Sequence, residues 1–126
     1  MDSYSEVRPW GRFEKFHENK TCTVKLIYVN SNSRLSLQYH LNRSEYWRVV
    51  KGTAIVELDG NNFILNEGDG LEIPRKSRHR LGSLSEGCVL MEISYGHFDE
   101  LDIVRLEDDY RRAPAISSAA KASGAG

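Results

Sequence analysis

The amino-acid sequence predicts an all-β protein folded as a single domain, closed either as a barrel or as a two-sheet jelly roll. Three observations carry that expectation. Short runs rich in Val, Ile, Leu and aromatic residues recur along the chain, the composition of half-buried strands. Residues that tolerate positive φ separate these runs, so hairpins follow one another in series. No window of ordinary helix length carries a sustained apolar stripe. With no helix to cover a sheet, a barrel or a jelly roll is the economical way to bury apolar faces, and either encloses an inward face for a small ligand.

Near the N-terminus, Trp10, Phe13 and Phe16 offer apolar surface that one small barrel does not fully bury, which predicts a homodimer; the alternative is that they cap the barrel end. Strands are expected at 24–29, at 45–50 and 53–58 on either side of Lys51-Gly52, and at 63–65 after Asp59-Gly60. Another follows the turn-rich Asn66-Glu67-Gly68-Asp69-Gly70 stretch at 70–73, and a last long one spans 88–94. Segment 101–110 reads as a short helical turn or an edge strand. From residue 113 the chain turns to Ala, Ser and Gly, which cannot repay ordering entropy by burial. The expectation is therefore a barrel domain over residues 1–112 and a loose tail over 113–126.

The whole chain of 126 residues, 40% hydrophobic and 28% charged, is long enough for one core and too short for two. Seventeen Lys and Arg against eighteen Asp and Glu leave a formal charge of -1, which speaks against a nucleic-acid backbone or an anionic membrane as partner. The opening Met1-Asp2-Ser3-Tyr4-Ser5-Glu6 lacks the basic-then-apolar pattern of a signal peptide, and apolar runs are short, so a cytoplasmic location is expected. Cys22 and Cys88 have no CxxC spacing, which excludes a zinc knuckle or thioredoxin-type motif; both read as reduced strand residues.

Chemistry concentrates in Arg34-Leu35-Ser36-Leu37-Gln38-Tyr39-His40-Leu41-Asn42-Arg43-Ser44-Glu45. On an extended strand Gln38, His40 and Asn42 share one face and Leu37, Tyr39 and Leu41 the other. Glu45 opens the next apolar strand, and His79 follows a strand end and a loop that can return it to the same cavity. Two imidazoles, a carboxylate and an amide oxygen form a mixed N/O set suited to a divalent first-row metal with positions left for substrate oxygens. Taken singly, each residue has a structural explanation: a hydrogen-bonded strand histidine, or a solvated Glu45 or Asn42. The basic residues Arg34, Arg43, Arg78 and Arg80 are ordinary loop charges, or the recognition set for a phosphorylated or carboxylated ligand.

The run of His40, Asn42, Glu45 and Gly52, followed by Gly68 to Pro74 and His79, resembles the two cupin motifs, and more closely type II phosphomannose isomerase. Four blocks in order carry the likeness: Arg8-Pro9-Trp10-Gly11; residues 34–40; Arg43, Glu45 and Trp47; and residues 102–112. The resemblance implies a cupin double-stranded β-helix with one divalent metal, Zn, Mn, Fe, Ni or Co, held by Gln38, His40, Glu45 and His79, with Asn42 as a fifth candidate. It implies substrate binding by Arg34, Arg43 and Arg80, with Arg80 and Arg43 stabilising charge during catalysis. Three positions depart from the family: Asn42 replaces an imidazole, Tyr46 stands where His is common, and Lys76 where Gly is favoured.

The implied activity is interconversion of mannose 6-phosphate and fructose 6-phosphate or a related aldose and ketose phosphate pair. The alternatives are a cupin that binds a sugar phosphate or other small anion without turnover, and a different metal enzyme on the same barrel, an epimerase or a dioxygenase. The general base is not assigned; Glu92 and Lys25 lie on strands whose partners the sequence does not give. No Gly-rich phosphate loop is present, so nucleotide-sugar synthesis is not expected of these residues.

Overall fold

The computed structural model describes residues 4–112, so the segment expected to form a tail lies outside the described residues. Within them the chain forms nine strands and no helix: β1 (Tyr4–Arg8), β2 (Gly11–Lys15), β3 (Cys22–Val29), β4 (Leu37–Tyr39), β5 (Arg43–Leu58), β6 (Asn61–Leu65), β7 (Gly70–Ile73), β8 (His79–Gly96) and β9 (Val104–Glu107). β5 and β8 pair with each other along most of their length, from Arg43↔Gly96 to Leu58↔His79. The first half of β5 also pairs with β7, and the second half of β8 with β3. Beyond the bend, the second half of β5 takes β6, and the first half of β8 takes β4, which in turn takes β9. The result is the expected jelly roll, with two long bent strands shared between its two sheets.

The bend corrects one sequence expectation. Residues 45–50 and 53–58 are a single strand, and Lys51-Gly52 is no turn: the ladder shifts register between Val49 and Lys51 and again between Gly52 and Ala54. Gly52 takes φ +79, and a Cβ there would lie 2.6 Å from the Gly87 carbonyl oxygen; one on Gly87, at φ +71, would lie 2.6 Å from the Val29 carbonyl oxygen. Two opposed glycines thus let two strands fold over at the same place. Likewise 88–94 is only the distal part of β8, whose polar start at His79 gave no strand signal. Segment 101–110 takes the edge-strand alternative, as β9.

The N-terminal aromatics belong to a hairpin not anticipated as strands, in which Arg8-Pro9-Trp10-Gly11 is the turn, with proline preset for its first central position. The apolar core draws on both sheets: Val29, Trp47, Val49, Ala54, Val56, Leu65, Ile73, Leu81, Cys88 and Leu90 are buried together. Cys22 and Cys88 are both free thiols. No helix of the described residues is long and apolar enough to cross a membrane.

Candidate metal centre

Strand alternation delivers the site residues. Along the approach to β4, Ser36, Gln38 and His40 are buried while their neighbours are less so; along β5, Arg43, Glu45, Trp47 and Val49 point inward. β4 ends at Tyr39, and alternation ends with it. The backbone N–H groups of Leu41 and Asn42 donate to the two carboxylate oxygens of Asp102, each at 2.9 Å. This clamp turns the Asn42 side chain out to solvent, so Asn42, expected on the same face as His40, does not join the site.

His40, Glu45 and His79 do come together, each buried, with one candidate ligand atom apiece within 4.8 Å of the others. His40 Nε2 lies 3.5 Å from Glu45 Oε2, and His79 Nε2 lies 3.7 Å from Glu45 Oε1. On the far side of each ring, Nδ1–H donates to a backbone carbonyl, of Asp102 at 2.6 Å for His40 and of Ser77 at 2.8 Å for His79. A carbonyl only accepts, so both tautomers are fixed and both Nε2 lone pairs face the carboxylate. Lys76, in the left-handed region at φ +67, donates its N–H to the His40 carbonyl at 2.8 Å, holding the glycine-like geometry of this loop without a glycine. Trp47 Nε1–H donates to Glu45 Oε1 at 3.0 Å. Gln38 is buried and pairs across the ladder with His79.

Electrostatics match this geometry. Burial lowers the His40 pKa to about 4 and pushes His79 down as well, so both rings are neutral at pH 7. For Glu45 burial acts upward, but His79, His40 and Arg43 outweigh it and hold the carboxyl below its usual range. Glu92 is pushed up to about 8, first by burial and then by the Glu45 carboxylate, with which it shares a hydrogen bond. Lys25, its ladder partner, places Nζ 4.0 Å from Glu92 and 3.6 Å from Glu100. Sequence reasoning left Glu92 and Lys25 unplaced because only the β3–β8 register brings them to the site.

Of the three arginines expected around the metal, the structure brings one. Arg43 has a fully buried side chain, donates from Nε to Glu45 Oε2 at 3.1 Å and from Nη1 to the Asp99 carbonyl at 3.0 Å, and places Nη2 3.3 Å from His40 Nε2. Arg80 follows His79 and is carried away by alternation, bonding the Leu35 carbonyl and Glu107. Arg34 is exposed and bidentate to Asp109 at 2.7 and 2.9 Å. Both line a separate cavity of about 430 Å³ whose walls include no histidine and no Glu45.

Two neutral imidazoles and a carboxylate, oriented from behind, fit a divalent first-row metal with open positions. Ser94 Oγ and Glu92 Oε2 are buried near Glu45 and find no hydrogen-bond partner among the described residues, which fits a centre that receives a polar ligand.

Comparison with known proteins agrees with this layout. The family described as "Mannose-6-phosphate isomerase C-terminal" matches residues 2–108. The alginate biosynthesis protein AlgA of Pseudomonas aeruginosa is 42% identical over 115 residues, covering 86% of this chain and 24% of its own length. The mannose-1-phosphate guanylyltransferase ManC of Salmonella typhimurium is 36% identical over 107 residues, covering 83% and 22%. The chain thus spans about a quarter of the length of these curated relatives. Among solved structures, KdgF from a Halomonas species aligns with TM-score 0.61 at 15% identity over 79% of this chain and 83% of its own. A cupin protein from Bacteroides fragilis aligns at 0.56 and 17% identity over 60% and 65%, a likeness of fold. Fold, ordered motifs and matched span together place this chain in the mannose-6-phosphate isomerase C-terminal family, a branch of the cupins.

Proposed function

We propose that this chain is a metal-dependent sugar-phosphate isomerase of the cytoplasm, interconverting mannose 6-phosphate and fructose 6-phosphate or a closely related aldose and ketose pair. The observation that carries the reading is the convergence of two tautomer-fixed Nε2 lone pairs on a buried carboxylate. His40, Glu45 and His79 would hold one divalent ion, with Gln38 beside His79. When bound, such an ion supplies Lewis-acid polarisation of the substrate carbonyl. The chain itself supplies the rest. Asp102 and Ser77 hold the rings in place through their carbonyls, and Trp47 fixes the Glu45 carboxylate. Arg43 presents a permanent cation, shut off from water, where negative charge develops as a proton leaves the carbon next to the carbonyl.

One observation favours the second reading, a binding module without turnover. The Arg43 guanidinium already engages the Glu45 oxygen and the His40 Nε2 that a metal would use. The two readings separate on metal analysis of the purified protein together with a coupled assay of mannose 6-phosphate turnover. His79→Ala is expected to weaken metal binding by more than about 100-fold and to abolish turnover. Metal-free protein that stays inactive across added Zn, Mn, Fe, Ni and Co would sink the isomerase reading.

A further inference from the structure

Arg34 and Arg80, expected beside the metal, line instead the cavity of about 430 Å³ on the outside of the barrel, over the second half of β5 and the first half of β8. That volume suits a small molecule. The ladder lays out its floor in two rows. Ile55 stands beside Gly82 and Gly82 beside Arg34; in the next row Asn62 stands beside Glu57 and Glu57 beside Arg80. Side chains opposite one another on a ladder leave the sheet on the same side, so both rows face one space.

Two features of this space point to a ligand. Glu57 and Arg80 are ladder partners of opposite charge, yet they do not pair. Arg80 turns to the Leu35 carbonyl and to Glu107, and the Glu57 carboxylate makes no hydrogen bond or ion pair among the described residues. The second feature is Gly82, a glycine inside a strand, where it weakens pairing. Its φ lies outside the left-handed region, and a Cβ there would meet Arg34 Cβ, the Ser33 carbonyl oxygen and the Ile55 carbonyl oxygen at 3.4, 3.6 and 3.7 Å, ordinary contacts. The backbone thus accepts a larger residue, and what glycine preserves is an open floor between Ile55 and Arg34.

The groups around that floor suit hydroxyls. Of the five N–H groups on each guanidinium, Arg34 spends two on Asp109 and Arg80 three on Leu35 and Glu107, which leaves donors on both. Glu57 supplies acceptors, and the Asn62 amide supplies both kinds. The two guanidiniums of the lining are balanced by two carboxylates, Glu57 and Asp109, so the cavity does not select a phosphate or another net anion. Ile55, 36% exposed, and the bare Gly82 backbone give one apolar patch. A pyranose has the matching pattern, hydroxyls around its rim and C–H groups on a face. We propose that this cavity binds an unphosphorylated pyranose sugar, its C–H face on Ile55 and Gly82 and its hydroxyls on Arg34, Glu57, Asn62 and Arg80. The site is separate from the metal centre and does not depend on the function given to it.

The test is amide NMR of the full chain titrated with D-mannose, D-glucose and D-galactose, with inorganic phosphate as a further probe. At least one sugar is expected to shift the Ile55, Glu57 and Gly82 amides saturably in the millimolar range, with His40 and His79 unmoved and phosphate without effect at the three positions. Gly82→Ala should weaken that binding at least fivefold by filling the floor and should raise the melting temperature, since the backbone accepts a Cβ. Glu57→Gln should weaken it at least threefold with circular dichroism unchanged. Three sugars without a saturable shift, shifts confined to the metal centre, or phosphate moving the same amides overturn the proposal. So do binding indifferent to Glu57→Gln and a Gly82→Ala protein that melts lower, which would show glycine to be required by the backbone.

Discussion

The same two strands run through both halves of the barrel, yet the halves enclose opposite chemistries. Beyond the Gly52 and Gly87 bend, the inward positions of β5 are Ala54 and Val56, facing Leu81 and Leu65 in a dry core. Before the bend they are Arg43, Glu45 and Trp47, which meet Glu92 along the ladder and His40 and His79 from across the barrel. Alternation alone builds either interior; it does not choose what is enclosed. A buried ion pair is poor value for stability, since desolvation offsets most of the Coulomb attraction and apolar residues of similar size do as well or better. An interior that switches from apolar to ionisable along one strand therefore marks where the fold has been given over to chemistry.

That contrast can be broken by substitution. The largest effect is expected from Glu45→Ala, which leaves the Arg43 cation enclosed without its carboxylate; unfolding in urea should show a loss of about 3–5 kcal/mol. Acidity and alkalinity should come next, in metal-free protein. His40 and His79 have lowered pKa values, so the unfolded chain takes up protons first and stability falls as pH drops from 6.5 towards 4. Glu92 has a raised pKa, so its contribution is full below about 4.5 and is lost as pH rises to about 8. Below pH 6.5 His40 offsets the Glu92 slope and His79 tips the balance, which puts the maximum near that value, with a loss on the order of 2 kcal/mol on the alkaline side by about pH 8. Thermal melts across this range should show the peak, and Glu92→Gln should flatten its alkaline flank.

In the apolar half, Val56→Ala should cost about 1–2 kcal/mol through the lost methyl groups and the space they leave, with metal affinity by calorimetry unchanged. The smallest effect belongs to Asn42→His. The side chain faces solvent, so stability and metal affinity should both move by less than about 0.5 kcal/mol. A marked gain in affinity would put residue 42 among the ligands.

How far the sequence could be read depended on whether local rules or long-range register decided a position. Gln38 and His40 were legible because a period of two is local. Asn42 was not, because the strand stops at Tyr39 and the clamp that turns the next residues outward comes from Asp102, far along the chain. Arg80 was misplaced by neighbourhood: standing next to His79 in sequence puts it on the other side of the strand. The fused β5 was hidden because Lys51-Gly52 has the composition of a turn, and only the approach of Gly87 shows it to be a bulge. The β1–β2 strands were missed because charged residues dominate them.

The pairing of β5 with β8 also orders assembly in time. Its contacts nest, the pair Leu58↔His79 lying innermost and Arg43↔Gly96 outermost. Loop-closure entropy favours the inner pairs first, so the strands zip outwards from Leu58 and His79, past the paired glycines, towards Glu45. The centre therefore gains His79 early and Glu45 late, and is complete only once the outer pairs have closed. A ligand bound there has nothing to hold until the transition state is past, and should slow unfolding while leaving the folding rate unchanged.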